Sequence, residues 1–266
     1  MATQNQDIRD ELSNDLLMLA DILEKNVPGF NGSSLKDAAN ECTDPTEYGS
    51  TSWGYSVDLL QFFGYKSSEE LYPKIARAGN IRVEMDLTIA GKCNTIHDGG
   101  HDPLHELELN IVVWGEDGEG KIIAAWHLDR HISDEGDEMY SDHPIYHFQF
   151  GGRRMWEEVQ DYGDLIVPEP PRLAFPPMDA ILAVNFVLAN YFGDDWRELI
   201  GVEGGNSDSD EYRRIVSGAQ ERLWRPYSQA LSAAWEPGPF SEQVSEQVWS
   251  PNAIWPQLID DYEEVA

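Results

Sequence analysis

The chain has 266 residues, of which 49 are acidic and 18 are basic, so its formal net charge at pH 7 is −31. Because the sequence contains no basic stripe, this charge argues against direct binding to nucleic acid and to anionic membranes. The composition is 41% hydrophobic and includes nine tryptophans, which is enough for a sizeable core and excludes general disorder.

The distribution of the acidic residues predicts a halophilic protein. They are spread over the whole chain, and only six residues are lysine. A salt-rich cytoplasm screens the repulsion that such a charge causes in dilute solution. The alternative is an acidic protein from a mesophilic cell.

The N-terminus, the cysteines and the apolar runs predict a soluble, cytoplasmic protein. The first residues are polar and acidic, unlike a secretory signal. Cys42 and Cys93 are too few for a disulfide framework, and we expect each to be a small buried residue. The most apolar run, residues 178–192, is too short and too interrupted to span a bilayer, so it predicts a buried helix.

The N-terminal part, residues 1–79, is predicted to be helical. Residues 7–25 carry isoleucine and leucines at helical spacing on one face, which predicts an amphipathic helix. Residues 29–52 are rich in Gly, Ser, Thr and Asn and predict an irregular connection. Shorter helices are predicted over residues 54–64 and 67–79, the second with a capping box at its start.

The hydrophobic period changes from 3.6 to 2 over residues 80–152, and this change predicts a sheet. The connections are mostly too short for crossover helices, so the strands are expected to form an antiparallel meander with one buried face. The four predicted strands cover residues 80–91, 104–114, 122–132 and 143–150.

Residues 167–235 are predicted to form a second helical part, opened by a proline-rich passage that crosses the surface. The buried helix 178–192 follows, and then a long helix from near Asp210 toward Trp235, kinked at Pro226. The sequence thus predicts one α+β domain. N-terminal helices precede a central four-stranded antiparallel meander, and C-terminal helices pack on its apolar face.

All seven histidines lie between residues 97 and 147, where they recur at four-residue intervals. Residues four apart on a strand share a face but lie about 13 Å apart, so one such pair cannot chelate one ion. The apolar parity places His127 and His131 on the outer face of one predicted strand. It places His143 and His147 on the outer face of the next.

One hairpin register brings His131 opposite His143 and His127 opposite His147. Two imidazoles with a carboxylate suit zinc or another transition metal with an open position. The alternatives are an acid–base site without metal, or a polar wall that is structural or faces a partner. The two candidate groups are His131, His143, Glu106 and Asp129, and His127, His147 and Glu108.

The glycine-containing loop over residues 94–106 is a second place for polar chemistry. His97, Asp98, His101 and Asp102 are able to fold over the outer face and convert it into a pocket. The alternative is an exposed polar loop.

No phosphate-binding loop, nucleophile elbow, HExxH motif or EF-hand loop is present in the sequence. The tail over residues 236–266 carries Trp249 and Trp255, which dock on their own domain or bind a partner. We therefore expect a non-enzymatic interaction protein that binds a protein partner through the outer sheet face and this tail. The alternative is a metal-dependent hydrolase built on the His/Asp/Glu groups.

The halophilic interpretation predicts that the melting temperature rises with KCl concentration. The screening length falls from about 10 Å at 0.1 M salt to about 3 Å at 1 M, so repulsion among the acidic side chains weakens over this range. Calorimetry from dilute buffer to molar KCl measures the effect. A melting temperature that stays flat or falls over this range would reject the interpretation.

Overall fold

Six antiparallel strands, with helices before and after them in the chain, form the fold in a computed structural model of the protein. The structure describes residues 2–64, 80–96, 102–116, 121–130, 145–151, 155, 173–202, 204 and 206–235. The helices are α1 (Ala2–Asn26), α2 (Ser33–Thr43), α3 (Pro45–Tyr48), α4 (Ala180–Tyr191), α5 (Gly193–Leu199) and α6 (Ser209–Trp235). The strands are β1 (Ser52–Gly64), β2 (Asn80–Lys92), β3 (Leu104–Glu116), β4 (Lys121–Arg130), β5 (Tyr146–Phe150) and β6 (Leu173–Ala174), which pair in chain order.

The predicted α+β class is confirmed, but the sheet has six strands and not four. The four predicted strands are β2 to β5. The prediction of a helix over residues 54–64 is wrong, since this segment belongs to β1. A bulge between Val57 and Leu60 inserts an extra residue into the strand. It breaks the two-residue alternation of the buried side chains and makes their spacing resemble that of a helix.

The prediction of an irregular connection over residues 29–52 is also wrong, because α2 and α3 lie within it. The segment is mostly polar, so the short buried stripe of α2 was not recognised in the sequence. This stripe has helical spacing and consists of Leu35, Ala38, Ala39 and Cys42. The helix predicted over residues 67–79 lies outside the described residues. The short strand β6, within the proline-rich passage over residues 167–177, was not predicted.

The helices α1, α4 and α6 were predicted, and the structure confirms them. The long helix α6 continues through Pro226 as far as Trp235. Seven residues of α4 are buried, as expected for the apolar run. Among the described residues, no helix combines the length and apolar character needed to cross a membrane.

The C-terminal helices pack on the apolar face of the sheet, which we call the inner face. The Ala180 N–H at the start of α4 donates to the Tyr55 hydroxyl of β1, at 3.2 Å. At the other end of α4, the Tyr191 hydroxyl accepts a hydrogen bond from the Trp126 indole of β4, at 2.6 Å. Phe186 of α4 also lies edge-on to Phe148 of β5, with 5.4 Å between ring centroids. The predicted position of the C-terminal helices is therefore confirmed.

Side chains from the N-terminal helices cover the free edge of β1. The Glu41 carboxylate of α2 accepts a hydrogen bond from the Ser56 N–H, at 2.8 Å. The Ser34 hydroxyl donates to the Asp58 carbonyl, at 2.7 Å. Arg9 of α1 donates to the Ser52 carbonyl, at 2.8 Å. These contacts occupy backbone groups that an added strand would need, so the edge is closed to pairing at these positions.

A buried ionic cluster joins α1, α4 and α6. Arg222 of α6 donates to Asp15 of α1, at 2.9 Å, and to Glu11, at 3.1 Å. Its second terminal nitrogen lies 3.9 Å from Asp179, which caps α4 by accepting the Leu182 N–H at 2.9 Å. Burial raises the pKa of Asp179 and outweighs the nearby guanidinium, which lowers it. The ionised form of this cap therefore reduces the stability of the fold.

Asp179→Asn is expected to increase the free energy of unfolding near neutral pH. Asparagine caps helices as well as aspartate does and removes the buried charge. The pKa of Asp179 is higher in the folded state than in the unfolded state, where it is about 4. Ionisation of Asp179 therefore does not lower the free energy of unfolding below pH 4, and it lowers it most above the folded-state pKa. The advantage of asparagine should therefore shrink as the pH falls toward 4.

Chemical denaturation at several pH values measures this difference. The matched control is Asp179→Ala, which loses the cap and should be about 1 kcal/mol less stable than the asparagine variant. An asparagine variant less stable than the wild type at neutral pH would contradict the expectation.

Candidate functional site

The face of the sheet opposite the helices, which we call the outer face, carries the polar side chains of β2 to β5. The apolar parity predicted this orientation for His127 and His147. Glu106 and Glu108 are exposed, whereas His147 is buried. The polar outer-face side chains in these strands include Arg82, Glu84, Asp86, Thr88, Glu106, Glu108, Asn110, His127, Asp129, His147 and Gln149.

The predicted register between β4 and β5 is wrong by two residues. His127 lies opposite Gln149, and His147 lies opposite Asp129. A two-residue shift keeps every side chain on its face, so the apolar pattern cannot detect it. Contacts on the inner face accompany the observed register, in which Trp126 stacks on Phe148 with 5.0 Å between ring centroids.

Of the two candidate metal groups, only one can be placed in full. His131 and His143 lie outside the described residues, so the group that contains them stays a prediction. In the other group, the His127 and His147 ring centroids are 6.4 Å apart, and Glu108 is opposite Asp129. Within the described ranges, no three His, Cys, Asp or Glu side chains are grouped so that they could hold a metal ion.

Five outer-face side chains form a continuous chain of polar contacts, which we call the His127 network. One Asp129 oxygen lies 3.0 Å from His127 Nε2, and the other lies 2.8 Å from His147 Nδ1. The opposite nitrogen of the His127 ring, Nδ1, is 2.9 Å from the Asn110 amide oxygen. The Asn110 amide nitrogen donates to Glu108, at 3.0 Å. The network therefore crosses β3, β4 and β5.

The contacts of the network fix the orientation of the His127 ring. Glu108 accepts from the Asn110 amide nitrogen, so the amide oxygen is the atom that faces His127 Nδ1. That ring nitrogen must then carry a proton. The other ring nitrogen faces the Asp129 carboxylate, so the ring is held from both sides.

The two imidazoles keep Asp129 ionised. Burial by itself would raise the pKa of this carboxyl group. Hydrogen bonds from His127 and His147 outweigh burial and hold the pKa well below its usual range. Because the His147 side chain is only 6% exposed, loss of the carboxylate would leave its ring buried without this partner.

Asp102, which was expected to fold over the outer face, binds inner-face side chains instead. Its carboxylate accepts hydrogen bonds from Arg130, at 2.9 Å, and from the Tyr146 hydroxyl. Tyr146 is fully buried and lies 6.2 Å from Tyr227 of α6, between ring centroids. Burial raises the pKa of Tyr146 well above its usual value, and the neighbouring Asp102 raises it further. The other residues proposed for this pocket, His97, Asp98 and His101, lie outside the described residues.

A second outer-face cluster, which the sequence did not predict, joins β1, β2 and β3. Glu84 accepts hydrogen bonds from Gln61, at 2.8 Å, and from the Trp114 indole, at 2.6 Å. Arg82 lies 3.1 Å from the same carboxylate and 5.5 Å from the centroid of the Trp114 ring. The carboxylate thus organises a polar platform next to β1.

Both cysteines are buried and free, as predicted. Burial raises the pKa of Cys42 to about 12, which argues against a thiolate nucleophile at this position. Trp249 and Trp255 lie outside the described residues, so their docking or partner contact stays a prediction.

Comparison of the chain with protein-family models, with curated proteins and with solved structures gave no match. Function is therefore inferred from the geometry of the outer face.

Asp129→Asn is expected to lower the free energy of unfolding by about 1–3 kcal/mol at neutral pH, because it removes the charge between two histidines and leaves buried donors poorly satisfied. The pKa of Asp129 is lowered on folding, so its stabilisation is present above the unfolded-state value of about 4 and is lost as the pH falls below it.

Urea denaturation from neutral to acidic pH tests this expectation. Exposed Glu106 provides the control, since Glu106→Gln should change stability by no more than about 0.5 kcal/mol. Equal effects of the two substitutions would show that the His127 network does not stabilise the fold.

Proposed function

We propose that the protein is a non-enzymatic interaction protein that binds a protein partner through its outer sheet face. The observation that carries this proposal is that the polar atoms of the His127 network lie against one another. Both ring nitrogens of His127 and both carboxylate oxygens of Asp129 contact other members of the network. A metal ligand or a general base needs a lone pair directed at the ion or substrate. The network favours a fixed recognition surface over chemistry.

A surface of this kind suits recognition because its side chains are held before the partner arrives. His127 and Asp129 are 27% and 25% exposed, so they are accessible while their positions are fixed by neighbours. Exposed Glu106 and Glu108 extend the surface along β3. Preorganised groups lose less conformational entropy on binding than free side chains do.

The wider setting of this function is also a proposal. The acidic, lysine-poor composition supports a halophilic, cytoplasmic protein. The tail with Trp249 and Trp255 supplies a second candidate contact for the partner. The alternative of a metal-dependent hydrolase would depend on His131 and His143 in addition to the His127 network.

The proposed function predicts that charge reversal on β3 removes a partner. The wild type, Glu106→Lys/Glu108→Lys and Asp7→Lys/Asp10→Lys are each used for affinity capture from the source cells, with quantitative mass spectrometry. The control pair reverses the same number of exposed charges on α1, which belongs to the helical side of the sheet. A protein captured by the wild type and the control, but not by the β3 variant, is the expected result.

Capture that is equal for all three chains, or reduced equally in both variants, would contradict a contact on the outer face. Metal analysis of the purified wild type and of His127→Ala tests the alternative. Stoichiometric zinc, manganese or iron that disappears in the alanine variant would overturn the non-enzymatic proposal.

A further inference from the structure

We infer that β1 supplies the apolar anchor of this contact, through Leu59 and Phe63, and that the partner presents an extended basic segment with apolar side chains. This inference rests on the proposed function, since it names the class of partner for the same outer face.

Leu59 combines two unfavourable features. It has a φ of +48°, and it is the only non-glycine residue with positive φ among those that the structure describes. A leucine in this conformation costs about 1–2 kcal/mol, which glycine would avoid. Its side chain is also 55% exposed, so the leucine recovers little of that cost by burial. Packing within the fold does not account for a large apolar side chain at this position.

The backbone around Leu59 is held in place. Its N–H donates to the Asp86 carboxylate of the outer face, at 2.8 Å, and the preceding carbonyl of Asp58 accepts from Ser34. The bulge therefore presents the leucine side chain from a fixed position at the border of the outer face. An apolar side chain held on a fixed backbone loses less conformational entropy when a partner covers it than a mobile one does.

Phe63 provides a second apolar contact on the same strand. It is 45% exposed and lies opposite Arg82, whose side chain is on the outer face. Phe63 and Leu59 are four positions apart along the strand, which corresponds to about 13 Å. Gln61 lies between the two and is bonded to Glu84. An extended segment with apolar side chains four residues apart matches this spacing.

The partner is expected to lie across the side chains and not to extend the sheet. The edge of β1 is already occupied at Ser56 and Asp58 by side chains of α2. A docking mode that adds a strand needs those backbone groups.

The charges around Leu59 and Phe63 indicate the charge that the partner segment should carry. Asp58 is exposed beside Leu59, and Asp86 and Glu84 lie on the adjacent strand. The cation opposite Phe63, Arg82, is engaged by Glu84 and by the Trp114 ring. Electrostatic complementarity therefore favours lysine or arginine around the apolar side chains of the partner.

Fluorescence anisotropy with labelled peptides tests this inference. The probe is Lys-Leu-Lys-Ser-Lys-Leu-Lys, and the matched peptides replace its leucines with serine or its lysines with glutamate. In molar KCl, the full-length protein should bind the probe about tenfold more tightly than the serine peptide, because two partly buried leucines contribute to affinity. The glutamate peptide is compared with the probe in about 0.1 M KCl, where a screening length of about 10 Å leaves the contribution of charge measurable, and it should bind more weakly than the probe. Equal binding of the probe and the serine peptide, or of the probe and the glutamate peptide, would overturn the inference.

Variants of β1 separate binding from stability. Leu59→Gly relieves the backbone strain, so the unfolding midpoint should rise or stay unchanged while binding of the probe falls. Leu59→Ser/Phe63→Ser should abolish the preference for the leucine probe. The control Leu173→Ser, at a 59% exposed leucine on β6, should retain it. Retained preference in both β1 variants, or its loss in the control, would refute the assignment to β1.

The same variants distinguish failure of this inference from failure of the proposed function. A captured partner that is lost with Glu106→Lys/Glu108→Lys but kept with Leu59→Ser/Phe63→Ser would leave the outer face as the binding surface and remove β1 from it. If Glu106→Lys/Glu108→Lys captures every protein that the wild type captures, the proposed function is wrong, whatever the peptide measurements show.

Discussion

The packing of α4 against the inner face of the sheet is the constraint on which the rest of the structure depends. Trp126 and Phe148 stack on each other, and both lie edge-on to Phe186 of the helix. A one-residue slip would turn these rings toward water, at about 1.5–3 kcal/mol for each large apolar side chain. Because alternate residues point to opposite faces, the burial of these rings fixes His127 and His147 on the outer face. The position of the polar side chains on the outer face is thus a consequence of the burial of the apolar side chains on the inner face.

The sequence predicts which face of the sheet a side chain lies on more securely than it predicts which residues lie opposite it on adjacent strands. Alternation over β2 to β5 placed His127 and His147 correctly, because parity follows from burial. It could not choose between registers that differ by two residues, and so it paired His127 with His147 in place of Gln149. The bulge at Leu59 gave the apolar residues of β1 a helix-like spacing, so this strand was predicted as a helix. The contacts of Asn110 with Glu108 and His127 could not be predicted, because residue spacing does not specify which side chains meet across strands.

Electrostatics divides the outer face into two regions of different character. In the His127 network, a carboxylate between two imidazoles satisfies groups that would be costly to bury alone, as the low exposure of His147 illustrates. Around β1, Glu84 and Asp86 are bonded to neighbours, but Leu59 and Phe63 beside them are 55% and 45% exposed. The first region is stabilised mostly by contacts within the fold, whereas the second keeps apolar side chains that the fold does not bury.

Exposed apolar side chains are therefore a better basis for proposing a binding surface here than the density of titratable groups. The histidines attract attention in the sequence because of their number and spacing, yet His127 and His147 direct ring nitrogens toward Asp129, a member of the same network. Leu59 carries no such signal, and its importance emerges only when its positive φ and its exposure are known together. The positive φ of Leu59 costs free energy that burial within the fold does not offset. Such unexplained strain points to a functional reason for the leucine. On this reasoning, the His127 network stiffens the sheet, and β1 is the part of the outer face that we propose as the apolar contact for a partner.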